Sequence, residues 1–154
     1  MSDKFIPLAK GFFVAPQIDV DDVAAAKEMG IKLIISNRPD GEEIEQPLNE
    51  EIANAAKQLG IKFYHIPVDG RGIGKHHIND FKDAIEDHEG PILAFCRSGT
   101  RSTMVRAFYR ASYGDVIADI LEEASTAGYD LYTIVPSLEA VIPERRRKKR
   151  TRKS

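Results

Sequence analysis

Cysteine is nearly absent from this sequence, because Cys96 is the only one among 154 residues. A single cysteine cannot form an internal disulfide, and such a composition is typical of proteins in a reducing compartment. No apolar run approaches the roughly 20 residues that a membrane-spanning helix needs. The first residues, Met-Ser-Asp-Lys, do not lead into the apolar stretch of a secretory signal. We therefore expect a cytoplasmic protein without a transmembrane segment.

Internal repeats and interdomain linkers are missing as well, so the sequence predicts one globular domain. Its composition, with 42% hydrophobic and 30% charged residues, allows a packed core. The net charge of −2 hides an uneven distribution, because eight of the 22 basic residues lie at positions 145–153. We expect a folded domain over residues 1–144 and a disordered basic tail over residues 145–154. Such a tail is either simply solvated or contacts nucleic acid or an anionic surface.

Short apolar runs alternate with amphipathic segments along the chain. Strands are predicted at 11–15, 31–36 and 61–68 and in the apolar run that ends at Cys96. Helices are predicted at 20–29, 47–59, 77–88, from 103 onward, at 114–128 and at 136–142. Strands and helices that alternate through short loops indicate an α/β fold, a single domain with a mainly parallel sheet flanked by helices.

A tight loop joins the last predicted strand to the next helix and has the sequence Cys-Arg-Ser-Gly-Thr-Arg-Ser over residues 96–102. Backbone N–H groups of such a loop converge with the positive end of the helix dipole, which favours a bound anion. The same field stabilises a thiolate, so Cys96 is a candidate nucleophile. A lone cysteine at a strand end is otherwise a small buried apolar side chain. The Gly99 turn, the two arginines and the helix together favour the catalytic interpretation.

Three predicted loops, at 37–43, 69–74 and 96–101, follow the carboxyl ends of parallel strands. In a parallel sheet the ligand crevice lies at this edge. The topology therefore predicts that the three loops meet, with Arg38, Asp69, Arg71 and Arg101 as neighbours of Cys96.

Four motifs occur in one order and carry a family resemblance. They are Phe-Val-Ala-Pro-Gln-Ile at 13–18, Asn-Arg-Pro-Asp-Gly-Glu at 37–42 with Gln-Pro at 46–47, His-Ile-Pro-Val at 65–68 and Ala-Phe-Cys-Arg-Ser-Gly-Thr-Arg-Ser at 94–102. Over roughly residues 5–130 the sequence resembles the small bacterial phosphatase-like domain that is also found fused to beta-lactamase-like hydrolases. The resemblance implies the fold of the dual-specificity, cysteine-dependent phosphatases. The basic tail lies outside the family pattern.

The length of the loop after Cys96 bears on which reaction it serves. Cysteine phosphatases separate the nucleophilic cysteine from the arginine by five residues and usually have a histidine before the cysteine. Here four residues separate Cys96 from Arg101, and Phe95 precedes the cysteine. The shorter loop looks like the active loop of rhodanese-type sulfurtransferases and leaves less room for a three-oxygen phosphoryl group. On this basis the sequence favours sulfane-sulfur transfer through a Cys96 persulfide, from thiosulfate or a persulfide donor.

Hydrolysis of a phosphate monoester through a Cys96 thiophosphate is the alternative. In that reaction Asp69 is the candidate general acid, although Asp-Gly is also a common turn pair. Arg101 neutralises phosphoryl oxygens and Ser102 assists release of the thiol. A third hypothesis is a non-catalytic anion-binding module, which the sole cysteine beside Arg97 and Arg101 disfavours, since binding alone needs no thiol.

The candidate catalytic residues are thus Cys96, Arg101 and Asp69. The candidate substrate-binding residues are Arg38, Arg97, Ser98, Gly99, Thr100 and Ser102. Arg38 either binds substrate anions or only pairs with the neighbouring Glu42 or Glu43. A small anionic substrate is the expected partner.

Neither a metal nor a cofactor is predicted. The histidines at 76, 77 and 88, with the aspartate at 80, do not have the spacing of a zinc site and favour a solvent-facing helix start. The glycines at 70, 72 and 74 indicate a mobile lid rather than a dinucleotide loop, because they do not run directly into a helix at the required spacing.

Overall fold

The computed structural model describes residues 3–144, so the predicted basic tail lies outside the described residues. Five strands form one sheet in the order β1-β2-β5-β3-β4. They are β1 (Ile6–Ala9), β2 (Phe12–Ala15), β3 (Leu33–Ser36), β4 (Lys62–His65) and β5 (Ile92–Phe95). β1 runs antiparallel to β2, and all other neighbouring strands are parallel. The predicted α/β class with a mainly parallel sheet is therefore confirmed.

Within residues 3–144, six α-helices surround the sheet. They are α1 (Val20–Glu28), α2 (Asn49–Gln58), α3 (Lys75–Ile85), α4 (Thr100–Ser112), α5 (Ile117–Thr126) and α6 (Val135–Ala140), the last preceded by a 3₁₀ turn at Tyr132–Ile134. α1 starts with a capping box, in which the Asp22 N–H donates to Asp19 Oδ1 and the Asp19 N–H donates to Asp22 Oδ2, both at 2.9 Å. No helix within residues 3–144 has both the length and the apolar character to cross a membrane.

Strand β1 was absent from the sequence prediction. Pro7 lies in the middle of β1 and has no N–H to donate to a neighbouring strand, so this segment does not show the usual sequence pattern of a strand. β1 tolerates the proline because it is an edge strand, and its pairing with β2 shifts register between Pro7 and Ala9. The turn into β2 places Gly11 at a φ of 74°, a conformation that glycine adopts without a steric penalty.

Strand β4 ends at His65, three residues before the predicted end. Pro67 has no N–H to donate to a neighbouring strand, so regular pairing stops there. The Ile66 and Val68 amides still donate to the carbonyls of Ser36 and Asn37, at 2.8 and 3.0 Å. These bonds hold the start of the 69–74 loop beside the end of β3.

The two faces of β5 belong to two different parts of the core. Leu93 and Phe95 pack in the cluster that includes α1 and α2, whereas Ile92 and Ala94 pack in the cluster that includes α3 and α4. All four side chains are buried. This burial on both faces explains the continuous apolar run in the sequence, and it places the residue after β5, Cys96, at the middle of the sheet's carboxyl edge.

Candidate active site

Cys96 directly follows β5 and is only 1% exposed. The Gly99 N–H donates to Cys96 Sγ at 3.1 Å, and the Cys96 N–H donates to the Ala15 carbonyl at 3.3 Å. Gly99 has a φ of 91°, which turns the chain into the 13-residue helix α4. The sulfur therefore lies at the positive end of a helix and accepts a backbone hydrogen bond.

Side chains of the loop stabilise its turn into α4. Thr103 Oγ1 donates to the Gly99 carbonyl at 2.8 Å, and the Ser98 and Thr100 hydroxyls lie 3.0 Å apart in a hydrogen bond. Ser102 is fully buried, and its Oγ has no hydrogen-bond partner among the described residues. A buried hydroxyl without a hydrogen-bond partner lowers the stability of a folded protein unless a bound group supplies that partner.

Arg101 has five N–H donors, and three of them donate to oxygen atoms. Its Nη1 donates to Glu42 Oε2 and to the Val68 carbonyl, each at 2.7 Å, and its Nη2 donates to Glu42 Oε1 at 2.8 Å. The Nε–H and one Nη2–H remain without an oxygen partner among residues 3–144, and they lie on one edge of the planar guanidinium. The Cys96 sulfur raises the pKa of Arg101 by its charge and by a side-chain hydrogen bond, after the larger contribution of Glu42.

Glu42 joins the first predicted loop to the Cys96 loop. Hydrogen bonds from Arg101 and, to a smaller extent, from Arg38 lower the pKa of Glu42 to about 2. The carboxylate is therefore ionised at neutral pH. The bonds of Arg101 to Glu42 and to the Val68 carbonyl bring the ends of three loops together, as the topology predicted.

The buried Arg38 guanidinium, 2% exposed as a residue, pairs with three side chains. It donates to Glu42 Oε1 at 2.9 Å, to Glu43 Oε1 at 2.8 Å and to Gln17 Oε1 at 2.9 Å. The pairing with acidic neighbours that the sequence suggested is therefore present, and a role of Arg38 in substrate binding stays a prediction. Arg97 is different, because its side chain is 68% exposed and pairs with Glu43 at 3.2 Å.

Asp69 pairs with Arg71 at the start of the glycine-rich loop. The Asp69 carboxylate accepts from Arg71 Nη2 at 2.8 Å and from the Arg71 backbone N–H at 2.9 Å. Hydrogen bonds from the Arg71 side chain and backbone lower the pKa of Asp69 to about 2. Asp69, the candidate acid, thus directly follows Val68, whose carbonyl accepts a hydrogen bond from Arg101. Its carboxyl group is ionised and paired with the Arg71 guanidinium.

His77 corrects the interpretation of the histidine pair as a solvent-facing helix start, because it is only 8% exposed. Its Nδ1 accepts from the Gly74 N–H and its Nε2 bonds to the Pro67 carbonyl, both at 2.8 Å. Burial lowers the pKa of His77. The ring therefore fixes the end of the glycine-rich loop, which lines a cleft of about 610 Å³. No group of three or more His, Cys, Asp or Glu residues within 3–144 is arranged to hold a metal ion.

Sequence reasoning missed Tyr129 entirely. This residue follows α5, and its hydroxyl donates to the Ser98 carbonyl at 3.0 Å. A methyl group built on Gly99 would overlap the Tyr129 hydroxyl. No local pattern around position 129 signals this contact, because it joins residues 31 positions apart.

A comparison with known protein families tests whether the sequence resemblance reflects family membership. The family described as "Beta-lactamase hydrolase-like protein, phosphatase-like domain" matches residues 4–113. The chain belongs to this family. A Beta-lactamase hydrolase-like protein of Xylella fastidiosa (strain 9a5c) is 33% identical over 137 residues, which is 88% of this chain and 32% of that protein. The chain thus spans about a third of the length of the curated relatives that it matches.

Solved structures agree with this membership. A candidate phosphatase from Neisseria meningitidis Z2491 has 35% sequence identity and a TM-score of 0.81, and the match covers 91% of this chain and 99% of that one. Tk-PTP in its active form has 16% identity and a TM-score of 0.72, covering 92% of this chain and all of that one, which is a likeness of fold. The domain therefore has a cysteine-phosphatase-like fold. Sulfur transfer, favoured above from loop length, is not confirmed, and the phosphatase alternative is the better supported of the two.

Proposed function

We propose that this domain hydrolyses phosphate monoesters through a covalent Cys96 thiophosphate. One observation carries the proposal, namely the pair of Arg101 donors that Glu42 and the Val68 carbonyl leave without an oxygen partner, on a guanidinium that also interacts with the Cys96 sulfur. Such a side-on fork binds two oxygens of a phosphoryl group at once. The persulfide that sulfur transfer leaves on Cys96 has no oxygen atoms to use that geometry, although the donor thiosulfate has three.

In the first step the Cys96 thiolate attacks phosphorus, an S–P bond forms and the bond from phosphorus to the leaving oxygen breaks. The loop amides and the Arg101 fork stabilise the negative charge on the equatorial oxygens. An alkoxide leaving group also needs a proton, and Asp69 is our candidate donor. Because Arg71 holds Asp69 ionised in the free enzyme, the proposal requires that substrate binding separates this pair.

In the second step water attacks phosphorus and the S–P bond breaks, which restores the thiolate and releases inorganic phosphate. Asp69, ionised after the first step, takes the proton of the water. We assign the buried Ser102 hydroxyl to the departing sulfur, because this hydroxyl has no other partner among the described residues. A hydrogen bond to the sulfur would stabilise the charge that develops there.

The rest of the proposed anion site is the loop with its backbone amides, formed by Arg97, Ser98, Gly99 and Thr100. For Arg38 we propose a supporting role, because its buried guanidinium orients Glu42 and Glu43. The substrate class is then a small anion or an anionic group on a larger molecule.

Sulfur transfer through a Cys96 persulfide remains the second candidate, and the four-residue spacing between Cys96 and Arg101 is the observation that favours it. The persulfide needs no general acid, because sulfite and thiolates leave readily. The family membership outweighs loop length in our ranking, since the family is phosphatase-like.

A parallel assay on one protein preparation separates the two reactions. We expect release of phosphate from an aryl phosphate and a mass increase on Cys96 that corresponds to one phosphoryl group after acid quench. Cys96→Ser should abolish both. Thiocyanate formation from thiosulfate and cyanide, with a persulfide on Cys96 and no aryl phosphate hydrolysis, would overturn the proposal.

A further inference from the structure

One peptide unit of the Cys96 loop carries hydrogen bonds on both of its sides. Its N–H belongs to Gly99 and donates to Cys96 Sγ at 3.1 Å. Its carbonyl belongs to Ser98 and accepts from the Tyr129 hydroxyl at 3.0 Å. In a trans peptide the C=O and N–H point in opposite directions, so Tyr129 and the sulfur lie on opposite sides of this unit.

We propose that Tyr129 is a positioning residue that strengthens the Gly99 N–H as a donor to the Cys96 sulfur. A hydrogen bond accepted by a carbonyl polarises the whole peptide, which makes its N–H a better donor, and chains of such bonds reinforce one another. Tyr129 therefore acts on the nucleophile through the Ser98–Gly99 peptide without touching the substrate. The proposal extends the proposed function, but its first test does not depend on it.

The surroundings of Tyr129 suit this role. Burial and, to a smaller extent, the charge of Cys96 raise the pKa of Tyr129, so its hydroxyl keeps its proton at neutral pH. The ring packs at the edge of two core clusters, which fixes the direction of the hydroxyl. The glycine at 99 leaves the space that the hydroxyl needs, since a side chain there would overlap it. Among the described residues, the titratable groups that interact with Cys96 are Arg101 and Tyr129.

The expected size of the effect follows from the strength of the bond that is modified. A hydrogen bond to a charged group is roughly twice as strong as a neutral one, and cooperativity changes it by about 10–30%. Loss of the Tyr129 hydroxyl should thus lower the thiolate fraction about two- to fourfold at a pH below the titration midpoint. Above the midpoint the fraction should be unchanged.

The test titrates Cys96 by the ultraviolet absorbance of its thiolate in the wild type, Tyr129→Phe and Tyr132→Phe. The single cysteine makes the signal specific, and each protein is referenced to the same chain with Cys96→Ser. We expect the midpoint in Tyr129→Phe to move upward by about 0.3–0.6 pH unit. Tyr132, whose side chain is highly exposed, is the matched control and should leave the midpoint unchanged.

Kinetics of aryl phosphate hydrolysis give the second readout. If the domain is a phosphatase, kcat/KM of Tyr129→Phe should fall about two- to fourfold on the acidic limb and rejoin the wild type at higher pH. A loss of equal size at every pH would indicate that Tyr129 only holds the loop together and would overturn the proposal. An unchanged thiolate midpoint would overturn it too. Failure of the phosphatase proposal would instead appear as absent hydrolysis with the midpoint shift intact.

Discussion

The Glu42 carboxylate contacts the end of the Arg101 guanidinium with both oxygens, Oε2 at 2.7 Å from Nη1 and Oε1 at 2.8 Å from Nη2. Glu42 comes from the loop after β3 and Arg101 from the first turn of α4. This end-on contact determines which edge of the guanidinium is left for a ligand. The relationship therefore links the fold to the geometry of the proposed phosphoryl site.

Removal of the Glu42 carboxylate should impair catalysis although Glu42 itself does not contact the substrate. We expect Glu42→Ala to lower kcat/KM for an aryl phosphate about 10- to 100-fold, because Arg101 would lose its orientation. Steady-state kinetics measure the effect, and circular dichroism checks the fold. Glu45→Ala is the matched control in the same exposed loop and should keep wild-type kinetics. Equal kinetics for Glu42→Ala and Glu45→Ala would contradict the assigned role of the carboxylate.

The same carboxylate should make stability depend on pH. The pKa of Glu42 is lowered from an ordinary value of 4.5 to about 2 by Arg101 and Arg38. Its contribution to folding is therefore present above about pH 4.5 and is lost as the pH falls towards 2. Glu42→Gln should be less stable than the wild type at neutral pH, and its stability should fall less between about pH 5 and pH 3. Urea unfolding at both pH values tests this, and parallel losses in the two proteins would count against it.

Arg101, Arg38 and Tyr129 show where prediction from sequence stops. The strand, loop and helix around Cys96 were predictable because apolar runs, a glycine turn and helical spacing are local signals. The pairing of Arg101 with Glu42 was not, since it joins residues 59 positions apart. Burial of an arginine such as Arg38 is also unexpected, because charged side chains are buried only with partners that the tertiary structure supplies.

Strand β1 and loop length illustrate two further limits. The proline in β1 hides a strand whose edge position only the assembled sheet reveals. The spacing between Cys96 and Arg101 favours sulfur transfer, which is not confirmed, and loop length alone does not show the partners of the guanidinium. The Arg101 fork depends on Glu42 and on the Val68 carbonyl, which the sequence does not connect to it.

The pairing of Asp69 with Arg71 should limit proton donation. Arg71 lowers the pKa of Asp69 to about 2, so little of the acid is protonated near neutral pH. Arg71→Gln should raise that pKa in the free enzyme and move the alkaline limb of kcat/KM to higher pH, with kcat/KM for an alkyl phosphate about tenfold higher at neutral pH. The pH profile of kcat/KM measures this.

Leaving-group chemistry supplies the control for that experiment. An aryl phosphate with an acidic phenol needs no proton in the first step, so its kcat/KM should stay close to the wild-type value in both Arg71→Gln and Asp69→Asn. Asp69→Asn should strongly lower kcat/KM only for the alkyl ester. If both esters respond equally to both substitutions, Asp69 is not the proton donor.

Ser102 offers a test in which stability and catalysis should separate. Its buried hydroxyl has no hydrogen-bond partner among the described residues, and replacing such a hydroxyl with hydrogen is close to neutral or stabilising by about 1 kcal/mol. Ser102→Ala should therefore unfold at the same or a higher urea concentration.

If the Ser102 hydroxyl assists the departing sulfur, breakdown of the thiophosphate in Ser102→Ala should slow about tenfold. Rapid-quench experiments should then show a larger burst followed by a slower steady rate. Ser112→Ala, at the other end of α4, removes a hydroxyl that donates to the Tyr109 carbonyl at 2.6 Å and should lower stability without changing the burst. A less stable Ser102→Ala with unaltered burst kinetics would show that the hydroxyl serves the fold alone.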